Sequence, residues 1–440
     1  MHEGRFVRRN RINGTPLMVS GSEKEGIAHV RSYGATAKAG SIAVGISHRW
    51  SPAMVKPNDL SRSRGALEED STLIAVIEMS LGSWLVAGRI PGVDRNPLRK
   101  QDPDPDTLLI RLHQWRDEAV RAGHPIIRIA VAFEAGRDGF WLARWLLARG
   151  IEAYVIHPTS IPVKRDHRRA KTDRLDTALL IRAFVGWLRG EADHCSMAAV
   201  PTLEEEDRKR PNREHQTLSG EKTRIINRVK GALVRLGIRT FNPKLRNAVD
   251  RLDQLRSPEG VPIPPNTLAE LRRDLARLRF VAEQAKAIEK ARLDELRQAP
   301  PSGPHAMVRL LAQIVGVGIE TADMLVNEVL CRGLRDRRAV GRYAGITGSP
   351  DESGAKRREK GLAKAGNSRV RRGMLQLAWR WLMFQKGSVL AQWYWVRTEN
   401  APPRTRKTMI VALARKLLIA LWRYTTNGEI PSGAVLHRAR

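Results

Sequence analysis

Strand-like apolar runs that alternate with helical patterns constrain the fold of residues 71–190 more than any other feature of this chain. Three runs have the length and apolar character of buried strands: Leu73–Ile77, Ile126–Phe133 and Ala153–Ile156. Helical patterns occur around residues 106–122 and 139–149. Because strands that alternate with helices pack as a layered sheet, we predict an α/β domain with helices on both faces.

The rest of the sequence divides into regions of different character. The N-terminal stretch shows no sustained hydrophobic period, which predicts a disordered or irregular extension. After the α/β region the chain becomes charged and helical, with leucines at coiled-coil spacing between Leu268 and Leu278. A proline-rich linker, Pro300–Pro304, precedes a mostly helical C-terminal domain. The predicted divisions are 1–70, 71–190, 191–300 and 301–440.

The charge balance indicates a polyanionic partner. The chain has 77 Lys and Arg against 46 Asp and Glu, a formal net charge of +31. Nucleic acid is the polyanion that best explains such a surplus. No apolar run approaches the roughly 20 residues that a membrane-spanning helix needs, and the N-terminus lacks the apolar core of a signal peptide. Cys195 and Cys331 are too few for a disulfide framework or a zinc site, so we expect a reducing cytoplasm.

Two carboxylates, Asp173 and Asp176, lie three residues apart inside an otherwise basic run. On a helix these positions share a face, and paired carboxylates suit Mg²⁺. Lys171 and Arg174 would then bind a polyanion beside the metal. The alternative is an ordinary helix start, with one acid near the N-cap and the other favoured by the helix dipole. These residues alone favour that alternative.

Two more acids end strand-like runs. Glu78 closes the first apolar run, and Glu134 directly follows Phe133. Acids at the carboxyl ends of strands in an α/β sheet face the crevice where ligands bind. With the helical pair they make four acids from three elements, the set that a two-Mg²⁺ phosphoryl-transfer site needs. Taken singly, each glutamate would be read as a surface acid at a strand end.

Gly316 and Gly318 lie between two apolar helical runs. Glycines permit a tight turn, and the amides that open the next helix can bind a phosphate, as in a helix-hairpin-helix module. A plain turn between helices explains the same residues equally well.

Residues 343–358 predict a flexible loop of small residues that leads into a cluster of cations. The cations are Lys356, Arg357, Arg358, Lys360 and Lys364. Ser353, which precedes a glycine in this loop, would ordinarily be a turn residue. Basic neighbours would, however, stabilise the charge on a phosphate that a serine attacks.

Taken together and in their order along the chain, these motifs resemble those of the DEDD-type bacterial transposases of the insertion-sequence one-ten family. Members of that family are guided by a bridge RNA. The resemblance covers residues 71–436 and leaves the first 70 residues unmatched. The matching motifs are Phe133–Gly136, Val155–Pro158, Arg169–Asp176, Gly316–Gly318, Tyr343–Gly345, Glu352–Gly354 and Lys364–Arg371.

The resemblance implies a RuvC-like (RNase H-like) α/β domain, a coiled-coil arm and a C-terminal transposase domain that carries a serine. The family's four acids, which hold Mg²⁺, correspond here to Glu78, Glu134, Asp173 and Asp176. Its serine nucleophile corresponds to Ser353. The family usually has aspartate where this chain has Glu78, and the longer side chain alters the geometry of a metal site.

The implied partners are double-stranded donor and target DNA, a structured bridge RNA and further copies of the chain in a dimer or tetramer. The implied location is the bacterial cytoplasm, at the nucleoid. The residues expected to contact nucleic acid are Lys171, Arg174, Gly316, Gly318, Lys356, Arg357, Arg358 and Lys364. Two alternatives remain. A hydrolytic RuvC-like junction nuclease would use the four acids without the serine, and a weakened remnant of a transposase would bind nucleic acid only.

Overall fold

The fold comes from a computed structural model that describes most of the chain after residue 62. The described residues are Ser63, 65–136, 138–161, 173–191, 194–353, 356–362 and 365–437. Within these ranges, the side chains of residues 159, 173 and 349–360 are not described. Lys171, Lys364 and residues 1–62 of the predicted extension lie outside the described residues.

A six-stranded mixed sheet forms the first part of the described chain, with strand order β3-β2-β1-β4-β5-β6. The strands are β1 (Thr72–Met79), β2 (Trp84–Arg89), β3 (Leu98–Gln101), β4 (Arg128–Glu134), β5 (Glu152–Ile156) and β6 (Met197–Ala198). Strands β1, β4 and β5 are parallel, whereas β2, β3 and β6 pair with their neighbours in antiparallel fashion. The three predicted apolar runs form the parallel centre of the sheet.

Helices cover both faces of this sheet, which confirms the predicted α/β architecture. They are α1 (Pro105–Arg121), α2 (Trp141–Leu147) and α3 (Asp173–Leu188). Leu108 and Leu142 of α1 and α2 pack with Ile77 on one face, and Phe184 of α3 packs with Val76 on the other. The short edge strands β3 and β6 were not predicted. Leu98–Gln101 contains a single apolar residue, so it has no hydrophobic pattern to recognise.

Four helices follow the sheet: α4 (Leu203–Asp207), α5 (Arg210–Arg235), α6 (Ala248–Asp253) and α7 (Pro265–Gln298). Helices α5 and α7 pack against each other. Leu271, Leu275 and Leu278 of α7 form a common core with Val229 and Leu233 of α5. The coiled-coil spacing therefore marks the buried face of α7, which packs on α5 as a helical hairpin.

The C-terminal part combines helices with a two-stranded hairpin. Its elements are α8 (Gly303–Ala312), α9 (Ile319–Leu325), a π-helical turn (Val326–Leu330), α10 (Arg337–Tyr343), β7 (Gly348–Ser353), β8 (Lys356–Leu362), α11 (Ser368–Phe384), α12 (Val389–Thr398) and α13 (Pro403–Asn427). Leu311, Leu377, Trp381 and Leu417 are almost fully buried in its core. None of the helices that the structure describes is long and apolar enough to span a membrane.

The predicted flexible loop over residues 343–358 is wrong. Strand β7 pairs with β8 in antiparallel register, so most of this segment belongs to a hairpin. Its small and charged residues have low strand propensity. The backbone hydrogen bonds of the hairpin depend on pairing between the two segments, which the composition of either one does not reveal.

A buried ionic cluster joins α7 to α9. Arg292 of α7 is 7% exposed and pairs with Glu320 of α9, and its Nε lies 3.5 Å from Oδ2 of Asp323. Burial raises the pKa of Asp323 to about 6, and the charges of Glu320 and Glu295 add to this rise while Arg292 opposes it. In this environment Asp323 stabilises the folded protein best when it is protonated.

The variant Asp323→Asn should therefore gain stability relative to the parent as pH rises. The pKa of Asp323 is higher in the folded than in the unfolded chain, so ionisation costs folding free energy between about pH 4 and pH 6. An amide does not ionise and can still accept the hydrogen bond from Asn327. Urea unfolding at pH 5 and pH 7.5 should show the difference between variant and parent growing by about 1 kcal/mol.

Asp336→Asn is the matched control. Asp336 caps α10, and its backbone hydrogen bonds lower its pKa, so its contribution to stability is complete above its unfolded pKa. The difference between this variant and the parent should stay constant over the same pH interval. A constant difference for Asp323→Asn would contradict the assigned environment.

Candidate functional site

Glu78 and Glu134 occupy neighbouring positions on one face of the sheet. Ile77 of β1 is paired with Phe133 of β4, and each glutamate is the next residue along its strand. Successive side chains alternate between faces, so both glutamates share the face of Val76, which α3 covers. Adjacent strands lie about 4.8 Å apart. Both side chains are half-buried. The structure thus brings two predicted acids together at the carboxyl ends of two parallel strands.

The position of the C-terminal end of α3 indicates where the other two predicted acids, Asp173 and Asp176, would lie. Arg189 follows the last turn of α3, and its Nε donates a hydrogen bond to Glu69, at 2.8 Å, just before β1 begins. The C-terminal end of α3 therefore lies at the amino end of β1. Helix α3 spans roughly 24 Å and β1 roughly 26 Å, so a helix that packs along β1 would begin near the carboxyl end of that strand, where we propose that Asp173 and Asp176 lie.

The donor chemistry of this end of the sheet suits a hard cation. Carboxylate oxygens are the ligands that Mg²⁺ prefers. Among the described side chains, no three acids, histidines or cysteines lie close enough to hold a metal ion. The side chain of Asp173 lies outside that description. The residues present therefore suit magnesium by their ligand type, and a magnesium site formed by them remains a proposal.

Ser353 is the last residue of β7, at the tip of the hairpin. Its backbone is paired with Lys356, the first residue of β8. Arg357 and Arg358 lie opposite Glu352 and Asp351 along the same register. The serine and three of the predicted cations therefore belong to one hairpin, whose register sequence reasoning missed.

The two ends of the hairpin lie against each other. Gly345, with φ of +64°, precedes β7, and a side chain there would collide with the carbonyl of Ala365. Gly366, with φ of +90°, follows β8, and a side chain there would collide with the carbonyl of Tyr343. The amide of Asn367 donates to that same carbonyl oxygen at 2.6 Å. Glycine is required at both positions because the two backbones approach so closely.

A basic cleft of about 800 Å³ opens between the base of the hairpin, α10 and α13. Its floor is apolar and includes Ile346, Leu362 and Val411. The charged residues that line it are all basic: Arg337, Arg338, Arg404, Lys407, Arg415 and Lys416. From sequence alone, Arg404, Arg406 and Lys407, just before an apolar helix, are candidate phosphate contacts, and a solvated helix start explains them equally well. The cleft lining includes Arg404 and Lys407, in the first turns of α13, but not Arg406. Sequence reasoning missed the other four cations, although two adjacent arginines open α10. An apolar floor with a cationic rim suits a sugar-phosphate backbone.

The glycine turn between α8 and α9 packs against α11. Gly316 has φ of +92°, and a Cβ there would lie 3.0 Å from the Cβ of Phe384. Gly318 is the N-cap of α9, and Val317 between them is buried. Packing and a positive φ explain Gly316, whereas a Cβ at Gly318 would meet only Arg380, at an ordinary 3.6 Å, and a phosphate-binding role for this turn remains a proposal.

A positive charge of the C-terminal part acts on a residue at the carboxyl end of β5. His157 directly follows β5. Burial and the positive charge of Arg332 lower the pKa of His157. The guanidinium of Arg332 also lies 4.7 Å from the ring centre of Tyr343, at the base of the hairpin. Arg332 thus places a positive charge whose effect reaches His157, while its guanidinium lies over Tyr343 at the base of the serine hairpin.

Comparison with known proteins gives two similarities. Residues 308–394 match the family described as Transposase IS116/IS110/IS902. The chain is also 38% identical, over 395 residues, to a protein of Sinorhizobium fredii named as a transposase, y4rJ. That alignment covers 87% of this chain and 99% of the relative.

If the cleft binds a phosphate backbone, Lys407→Ala should weaken binding of double-stranded DNA about equally for unrelated sequences. The loss of one phosphate contact should reduce the slope of log affinity against log salt by about 0.9. Fluorescence anisotropy across a salt series measures both quantities. The matched control is Arg406→Ala, which removes an exposed cation on the same turn of α13 outside the cleft lining. Equal effects of the two variants would show that the cleft has no special role.

Proposed function

The chain belongs to the IS116/IS110/IS902 transposase family, and from that premise we propose that it cuts and rejoins DNA strands to move an insertion sequence. The reaction would be a phosphoryl transfer that uses an acid cluster and a serine nucleophile. The observation that supports the proposal is the position of Glu78 and Glu134 on one face of the sheet, at the carboxyl ends of two neighbouring parallel strands.

The domain organisation that goes with this function follows the sequence divisions. Residues 71–190 would form a RuvC-like domain, residues 191–300 a coiled-coil arm and residues 301–440 the serine transposase domain, with residues 1–70 as an extension. The sheet supports the first assignment, because β1 lies between an antiparallel hairpin and parallel strands. The packing of α5 on α7 supports the second.

In the proposed reaction the hydroxyl oxygen of Ser353 attacks a phosphorus atom of the DNA backbone. A bond forms between the serine oxygen and phosphorus, and the bond from phosphorus to the 3′ oxygen breaks. The serine proton passes to solvent or a base, and the departing oxygen becomes a 3′ hydroxyl. The phosphoserine retains an ester bond, so strands can be rejoined without an external energy source.

Glu78, Glu134, Asp173 and Asp176 would hold Mg²⁺ and orient it toward the scissile phosphate. Bound Mg²⁺ would supply stabilisation of negative charge on the phosphate and on the 3′ oxygen. In an oligomer, a dimer or tetramer, the acids of one subunit would serve the serine of another.

The basic surface would hold the backbones of DNA and RNA. We expect phosphate contacts from the cleft and from the cations that the family motifs carry: Lys171, Arg174, Lys356, Arg357, Arg358 and Lys364. The turn at Gly316 and Gly318 would add backbone contacts. A bridge RNA would select the target by base pairing, while the protein binds by charge. The net charge of +31 supports this division of roles.

Ser353→Ala tests the serine step. It should abolish strand exchange and the covalent protein–DNA adduct, by ~10³-fold or more, because no other group replaces the attacking oxygen. Ser349→Ala, in the same strand, is the control and should retain activity. Denaturing gels with end-labelled DNA detect the adduct. Unchanged cleavage by Ser353→Ala would favour the hydrolytic junction nuclease instead.

Glu78→Asp tests whether the longer acid weakens the enzyme. If Glu78 holds Mg²⁺ in an imperfect geometry, shortening it should raise the rate of Mg²⁺-dependent recombination several-fold. Glu134→Gln should abolish the reaction both in the parent protein and when combined with Glu78→Asp. No recombination by the parent or by Glu78→Asp, with DNA binding intact, would favour the nucleic-acid-binding remnant.

A further inference from the structure

Glu328 is a buried carboxylate that joins three distant segments of the chain. It lies on the π-helical turn and is 2% exposed. Arg213 of α5 donates to its two carboxylate oxygens, at 2.8 Å and 3.1 Å. The Nδ2 of Asn367 donates to its Oε2 at 2.9 Å. One side chain thus links the helical hairpin, the core of the C-terminal part and the segment that follows β8.

Asn367 itself holds the base of the serine hairpin. Its Oδ1 accepts hydrogen bonds from the amides of Arg369 and Val370, so it is the N-cap of α11. Its own amide donates to the carbonyl of Tyr343, on the segment that enters β7. The bond from Asn367 to Glu328 therefore fixes both chain segments that lead to the hairpin.

Glu328 is ionised although it is buried, so its stability depends on the groups that bond to its carboxylate. Burial alone would raise the pKa of Glu328, but hydrogen bonds from Arg213 and Asn367, with the nearby charge of Lys209, lower it below its ordinary value. The group therefore stays ionised. A buried charge that loses one partner is strongly destabilised, so the arrangement tolerates little displacement of either side.

We propose that Glu328 is a positioning residue: it transmits the position of α5 to the base of the β7–β8 hairpin and so sets where Ser353 lies. The proposal rests on the proposed role of Ser353 for its effect on the reaction, but not for its effect on the hairpin. π-Helical turns are frequent at functional positions, and this one directs Glu328 into the junction of the three segments.

The first experiment compares Glu328→Gln with Asp274→Asn in the full-length protein. Asp274 is a matched control because it is also a buried acid, 1% exposed, that accepts two hydrogen bonds from an arginine of α5, Arg228. Arg228 lies roughly 22 Å along the helix from Arg213. Each variant neutralises a buried acid that is paired with a partly exposed arginine of α5.

Two readouts separate positioning from general destabilisation. Hydrogen exchange of amides in Gly348–Ser353 and Lys356–Leu362 reports on the hairpin without requiring activity. The rate of formation of the covalent serine adduct reports on the reaction. Glu328→Gln should raise hairpin exchange and lower the adduct rate by ~10-fold or more, with DNA affinity within about twofold of the parent. Asp274→Asn should change neither, and exchange in α13 should stay constant in both variants.

Asn367→Asp provides a second test in which the cap is retained. Aspartate caps helices as well as asparagine, but it cannot donate to Glu328 and places a like charge beside it. The single variant should behave like Glu328→Gln. In the double variant Glu328→Gln with Asn367→Asp, the new amide can donate to the new carboxylate, so hairpin protection and adduct rate should recover substantially.

The outcomes separate the inference from the function it rests on. The positioning role would be overturned if Glu328→Gln left the amide exchange rates of the hairpin within about twofold of the parent. It would also be overturned if Asp274→Asn raised those rates equally. The absence of recovery in the double variant would also overturn it. If Ser353→Ala kept full strand exchange, the proposed function would fail, while the exchange data would still decide whether Glu328 positions the hairpin.

Discussion

The parallel pairing of β1 with β4 is the constraint on which the geometry of the candidate site depends. A shift of one residue in this pairing would move the side chains of one strand to the opposite face relative to the other, and Glu78 and Glu134 would no longer share a face. The register that buries Val76 and Ala132 therefore also fixes Glu78 and Glu134 on one face at neighbouring positions. Helix α3 covers that face, and Arg189, which follows its last residue, bonds to Glu69 just before β1.

Buried ion pairs determine how the helical hairpin meets the C-terminal part. Arg213 pairs with Glu328, and Arg292 pairs with Glu320 and Asp323 across the junction. Such pairs add little net stability compared with apolar contacts of the same size, because each charge loses its hydration. A displaced pair would leave a buried charge without its partner, so these contacts favour one arrangement of the junction over others. This arrangement is the one in which Asn367 can bond to Glu328.

The serine hairpin and the basic cleft depend on the same part of the fold. The crossing of Gly345 and Gly366 closes the hairpin at its base, and Leu362 from that base lines the cleft. A backbone held in the cleft would thus lie beside the element that carries Ser353. The positions of the serine and the cations are therefore set by shared contacts, so a change at the base of the hairpin would affect both.

Local patterns in the sequence were enough to predict several features of this protein. Apolar runs predicted the central strands, the leucine spacing predicted the buried face of α7, and the order of motifs predicted the transposase family that the comparisons confirm. Side-chain type and position along a strand or helix are local properties, so the four acids could be identified as candidates from sequence. Tertiary structure alone decided that Ser353 lies on a hairpin, that Arg338 and Arg415 line one cleft, and that Glu328 reaches both Arg213 and Asn367. These relations join residues up to 115 positions apart, and hydrophobic periodicity carries no information about which distant segments pair.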